Sequence, residues 1–216
     1  MRVQRQYNIS VPIPPSVPPS LVISHLQTIT PVIRHLGTLS RFEPTNANLP
    51  EIQADPFFHQ SVASISGFQI YELITLAPGL TKEVTYPTYF QPSHGGVRCR
   101  ANGAAGITGW ADYTVRQKRD DSSSASPNST GGGAVGGTPS TVASESDDYY
   151  PEYEVHETLL VEANSLLMPF VAKTMEVSHR DLCRKIIEEA AQGYALGHET
   201  TSTATTTPQE QDKMQE

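Results

Sequence analysis

The sequence predicts an α+β fold in which one long helix lies against a curved antiparallel sheet. Three observations carry that reading: strict two-residue alternation at the N-terminus, a middle stretch of strand-like segments separated by turn residues, and a change to helical periodicity after Asn164.

The first strand is read over residues 3–13, where Val3, Arg5, Tyr7, Ile9, Val11 and Ile13 fall on one side and Gln4, Gln6, Asn8, Ser10 and Pro12 on the other. Pro18-Pro19 suits the start of a helix because a first-turn residue needs no amide proton, and Leu21, Val22, Leu26 and Ile29 then keep helical spacing. Thr30-Pro31 opens a second short helix through Leu36, which Gly37 ends. Strands are expected at 38–44, 67–76, 82–91, 97–101 and 108–117, with Pro78-Gly79 and Ser93-His94-Gly95-Gly96 as turns of an antiparallel meander. In the last strand Tyr153, Val155, Glu157, Leu159 and Val161 share one side. From Asn164 or Ser165 to about Gln192 a helix of roughly 40 Å, at about 1.5 Å per residue, carries an apolar stripe of Leu167, Phe170, Val171, Thr174, Met175, Leu182, Ile186 and Ala190.

The 216 residues suffice for a single core, and the domain is expected over residues 1–193. A Ser-, Gly- and acid-rich stretch at about 118–148 has almost nothing to bury and is expected to be a disordered insertion, as is the tail 194–216, polar from about Gly197. A formal charge of −8 argues against a nucleic-acid partner, whose phosphates need a surplus of Lys and Arg. No apolar run approaches the length of a membrane span, and MRVQRQYNIS lacks the core of a signal peptide, so the expectation is a soluble, cytoplasmic protein without membrane insertion. Cys99 and Cys183 make neither a disulfide framework nor a metal site alone and are read as reduced, packed thiols.

ANGAAGITGW, residues 101–110, places glycines at 103, 106 and 109. A dinucleotide loop needs a helix after it, so that free amide protons face the phosphates. Residues 107–115 read as a strand, so this stretch is a turn whose small residues leave room at a cavity mouth.

The short helix before TPVIRHLG, the PGLTKEVTYPTYF stretch, the run RANGAAGITGWADYTV and the passage YEVHETLLVEANSLLMPFVAKTMEVSHRDLCRKI together resemble the helix-grip fold of the START-like, polyketide-cyclase-like (SRPBCC) superfamily. More narrowly they resemble an uncharacterised fungal family within it, a domain of unknown function. The resemblance implies a cavity between sheet and long helix that holds an apolar molecule. It implies no catalytic residues.

Arg5 and Glu157 interrupt the apolar sides of their strands and, if opposite one another, make a polar anchor at one end of the pocket. Tyr7, Tyr113 and Tyr153 share those sides and offer hydroxyls to a ligand, while Met168 and Met175 give the helix an adaptable wall. None of the seven histidines pairs at metalloprotease spacing, so no metal is expected, and no cofactor. The leading expectation is binding of a small hydrophobic molecule, lipid- or polyketide-like, without chemistry. The alternatives are a cyclase- or dehydratase-like enzyme using Glu157 with a tyrosine in the same cavity, and a non-catalytic interaction module whose loop recruits partners.

Overall fold

Alternation sets the first strand, β1 (Arg2–Pro12), in the computed structural model, which describes residues 1–59, 64–118 and 152–202. After it come α1 (Pro19–Gln27) and α2 (Thr30–Arg34), then β2 (Leu39–Thr45), α3 (Pro50–Gln53), β3 (Ser66–Ala77), β4 (Leu80–Ser93), β5 (Gly96–Asn102), β6 (Thr108–Gln117), β7 (Tyr153–Asn164) and α4 (Met168–Ser202). The strands form one antiparallel sheet in the order β1-β7-β6-β5-β4-β3-β2. The chain therefore starts at one edge, crosses by α1 and α2 to the other, and returns strand by strand until β7 closes on β1. With α4 against the sheet this is an α+β helix-grip fold.

Pro19 in the first turn of α1 has no amide proton to leave unsatisfied, and Val22 and Leu26, one turn apart, are its buried residues. Ile29 joins α1 to α2 with φ 66°, a left-handed conformation that strains a β-branched residue. Its side chain is buried among Val22, Leu26 and Ile33, so packing holds the joint bent. Gly96 is required for a different reason: a Cβ there would stand 2.1 Å from the Tyr113 carbonyl oxygen.

One face of the sheet lies under α1, α2 and α4. Ile9, Val11, Val97, Val155, Leu159 and Val161 from the strands join Val22, Leu26, Ile33, Leu182, Ile186 and Ile187 from the helices in the main core. The opposite face is covered in part by α3 and its flanks, which sequence periodicity did not reveal. There Ala47, Ile52, Phe58 and Tyr89 form a smaller core, and Asp55 receives hydrogen bonds from Arg100 (2.6 Å) and Trp110 (3.2 Å).

The long helix departs from expectation at both ends. It begins at Met168 rather than Asn164 or Ser165 and continues past Gln192 to Ser202. Phe170, placed on the buried stripe by the sequence, is 73% exposed, and Thr174 is exposed too. Near its start the buried strip is narrow, and Phe170 is rotated about 100° from buried Val171. The expected insertion at 118–148 lies outside the described residues except for Lys118, as does the tail after Ser202. Among the described residues no helix is long and apolar enough to cross a membrane.

Candidate functional site

Side-chain size along the inner face sets the shape of the site. Strand pairing aligns Val161, Gly109, Ala101 and Thr88 in one row across β7, β6, β5 and β4, and Leu159, Ala111, Cys99 and Phe90 in the next. Gly109 and Ala101 in the middle of the first row and Ala111 in the second are too short to fill the space below the helix. A hollow of about 320 Å³ remains, walled also by Val84, Tyr86, Ile107 and by Val32, Leu36, Met175 and His179 from the helical side. A Cβ built on Gly109 meets nothing within 4 Å. The volume is at the small end of the range for ligand pockets, about 300–1,000 Å³. A second depression of about 350 Å³ lies along α4 between Glu176 and Arg184; a single helix lines it and it encloses nothing.

ANGAAGITGW is thereby explained. Ala104–Gly106 form a short 3-10 turn between β5 and β6, with Ala105 at φ 57° and Gly106 at φ 72°, and Thr108 begins a strand. Ala101, Gly103, Ala104 and Gly109 line the hollow.

The polar groups of this wall are few. Thr88 is 3% exposed and its Oγ1 makes no hydrogen bond among the described residues. Tyr86 lines the wall beside Glu72, and burial, with Glu72 nearby, pushes its hydroxyl well above the usual phenol range. The densest cluster lies where α4 crosses β7. Glu157, fully buried at 0% exposure, accepts a hydrogen bond of 2.6 Å from Nδ1 of His179. Cys183 Sγ donates to the other carboxylate oxygen at 3.7 Å. Tyr113 is the cross-strand neighbour of Glu157, and its hydroxyl is 3.4 Å from the same Nδ1. Burial first, and the Glu157 carboxylate second, push Tyr113 and the thiols of Cys99 and Cys183 upward, so none of the three supplies a ready anion. Nε2 of His179 makes no hydrogen bond among the described residues, and the ring is on the cavity wall.

The residues singled out from sequence scatter around this site. Tyr113 and Met175 line the hollow, and Glu157 stands behind the His179 that lines it. Tyr7 is half-buried on the inner face beside Leu159, with a buried hydroxyl that makes no hydrogen bond among the described residues. Tyr153 is half-buried at the start of β7, and Met168 is buried at the start of α4; neither is on the cavity wall.

Arg5 and Glu157 do not face one another. Arg5 pairs with Val161 and Glu157 with Ile9, a displacement of four residues, or about 13 Å at about 3.3 Å per residue. Alternation fixes which side a residue takes but not the register, and Arg5 is left exposed on the edge strand. His179 is the partner that sequence reasoning missed. It occupies the gap between Met175 and Leu182 in the helical stripe, and a histidine on an otherwise apolar face was the available signal. Among the described residues no group of three or more His, Cys, Asp or Glu side chains is arranged to hold a metal ion.

Residues 2–192 match the family described as a domain of unknown function, DUF7053. The chain belongs to that family. No curated protein sequence matches it. Among solved structures it is similar to TTHA0849 from Thermus thermophilus, at 10% identity and a TM-score of 0.43, over 89% of this chain and 99% of that one. It is also similar to the di-domain ARO/CYC StfQ from the steffimycin biosynthetic pathway, at 8% identity and a TM-score of 0.49, over 89% of this chain and 52% of that one.

Proposed function

We propose that this protein binds one compact, largely apolar molecule carrying a hydrogen-bonding group, in the hollow between the sheet and α4. The observation that carries the reading is the conjunction of a wall of small and aliphatic side chains with a buried Thr88 hydroxyl that has no partner among the described residues. Leaving a buried hydroxyl unbonded costs about 1–3 kcal/mol. A ligand that accepts from or donates to Thr88 recovers that loss while covering apolar surface at about 25 cal/mol per Å². Nε2 of His179, on the helical wall, offers a second polar contact. The volume favours a compact compound over a long-chain lipid or an extended polyketide.

Native mass spectrometry of the purified protein, followed by extraction of whatever it carries, tests the reading. The expected result is a bound small apolar compound that is lost in Gly109→Leu, whose side chain occupies the hollow, and bound more weakly by Thr88→Val. A wild-type protein that carries nothing and binds no member of a library of compact apolar alcohols and ketones would refute it.

A further inference from the structure

We infer that His179, held by Glu157, is a general acid–base catalyst acting on the cavity's ligand, and that the substrate is a compact enolisable ketone rearranged by proton transfer. The inference rests on the binding reading above and adds chemistry to it.

Geometry assigns each nitrogen of the imidazole a separate task. Nδ1 is bound to Glu157 at 2.6 Å, which fixes the ring's orientation and its tautomer, because a carboxylate there requires a proton on Nδ1. In the neutral ring Nε2 is then the nitrogen with the lone pair; it makes no hydrogen bond among the described residues and belongs to a side chain on the cavity wall. A nucleophile–base pair of the hydrolase kind is absent here, since the Cys183 thiol points at Glu157 and burial keeps it protonated. What remains is a base beside an apolar hollow. Apolar surroundings suit a carbon acid, whose substrate is uncharged and whose enolate needs only a hydrogen-bond donor at oxygen. Hydroxyl donors on the wall are those of Thr88, Tyr86 and Tyr113, the last 3.4 Å from Nδ1 of the same imidazole.

The step balances without a co-reactant. Nε2 takes the proton from the α carbon, the C–H electron pair becomes the C=C bond, and the carbonyl π pair moves to oxygen, where a wall hydroxyl donates to it. The imidazolium then returns its proton to carbon, at the α position or, in a β,γ-unsaturated ketone, at the γ position to give the conjugated isomer. Glu157 touches no substrate atom and acts as a positioning residue.

The test uses 2-tetralone and cyclohex-3-en-1-one as probes. Binding is read by saturation-transfer NMR, deuterium uptake from D₂O by the loss of α-proton signal, and conjugation by ultraviolet absorbance. The expected result is exchange faster than with His179→Gln by about a hundredfold or more, the usual scale for a positioned acid or base. Exogenous imidazole is expected to restore part of the rate in His179→Gly, and Glu157→Gln to change the pH profile of exchange, neither of which a packing role predicts. Because removing one partner endangers folding, Glu157→Leu/His179→Leu is measured as well; it is expected to fold, bind the probes and show no exchange above buffer. Probes that bind wild type but exchange no faster than with His179→Gln overturn the proton-transfer proposal and leave the binding reading intact. Probes that do not bind overturn the proposed substrate class, whereas a protein that carries no compound at all defeats the binding reading itself.

Discussion

Beneath the middle turns of α4 the inner face of the sheet is filled, with Leu182, Ile186, Ile187 and Ala190 packed among Ile9, Val11, Val155, Val22 and Leu26. Beside the turns that carry Met175 and His179, strands β5 and β6 of the same sheet present Ala101, Gly109 and Ala111 and leave about 320 Å³ open. Backbone pairing continues through both regions without interruption. Side-chain volume separates the two regions, so the hollow is written in three small residues rather than in a special backbone. The boundary between the regions is polar: Glu157, His179, Tyr113 and Cys183. Where the sheet could have been packed dry, it carries a buried carboxylate with an imidazole bound to it.

The largest way to break this comparison is at the boundary. His179→Leu leaves Glu157 buried without its partner and is expected to cost about 3–5 kcal/mol in denaturant unfolding. Glu157→Leu/His179→Leu removes both groups and is expected to recover most of that loss; equal destabilisation of single and double variants would mean the charge is not the cause. Next comes the contrast between the halves. Ile186→Ala in the filled region is expected to cost about 2–5 kcal/mol, whereas Met175→Ala is expected to cost about 1 kcal/mol, since Met175 is only partly buried and lines the hollow. Equal losses would show that the two regions are packed alike.

The smallest expected effect is a pH dependence from histidines outside the hollow. Burial lowers the proton affinity of His25 and His156 below that of an ordinary histidine. The unfolded chain therefore binds protons first as pH falls below about 6.5, and stability drops from there toward the depressed folded values. His25→Gln/His156→Gln is expected to flatten unfolding free energy against pH in that window, and an unchanged slope would assign it elsewhere.

Much of this architecture was legible in residues whose patterns are local. Alternation in 153–161 and the Pro78-Gly79 turn placed β7 and the β3–β4 hairpin, because sidedness and turn chemistry are properties of neighbouring residues. The α3 segment escaped because four helical residues have no periodicity to read; tertiary bonds from Arg100 and Trp110 to Asp55 anchor its flank. The site was half legible. Glu157 and Tyr113 stood out as polar groups on apolar sides, but the true partner, His179, lies on an element remote in sequence, and only the packing of α4 over β7 brings them within 2.6 Å. Arg5 was read on the correct side of β1 and in the wrong row, as register is a long-range property.

Whether the hollow is truly open is the claim on which binding and chemistry both depend. Thermal unfolding of Gly109→Leu, measured on protein freed of bound compounds, tests it most directly, because the new side chain enters space where a Cβ meets nothing within 4 Å. The account predicts a melting temperature equal to or above that of wild type, as expected when a strand glycine gains a side chain that fills a void. A fall of several degrees would mean that the leucine meets packed atoms, and the hollow would be contradicted.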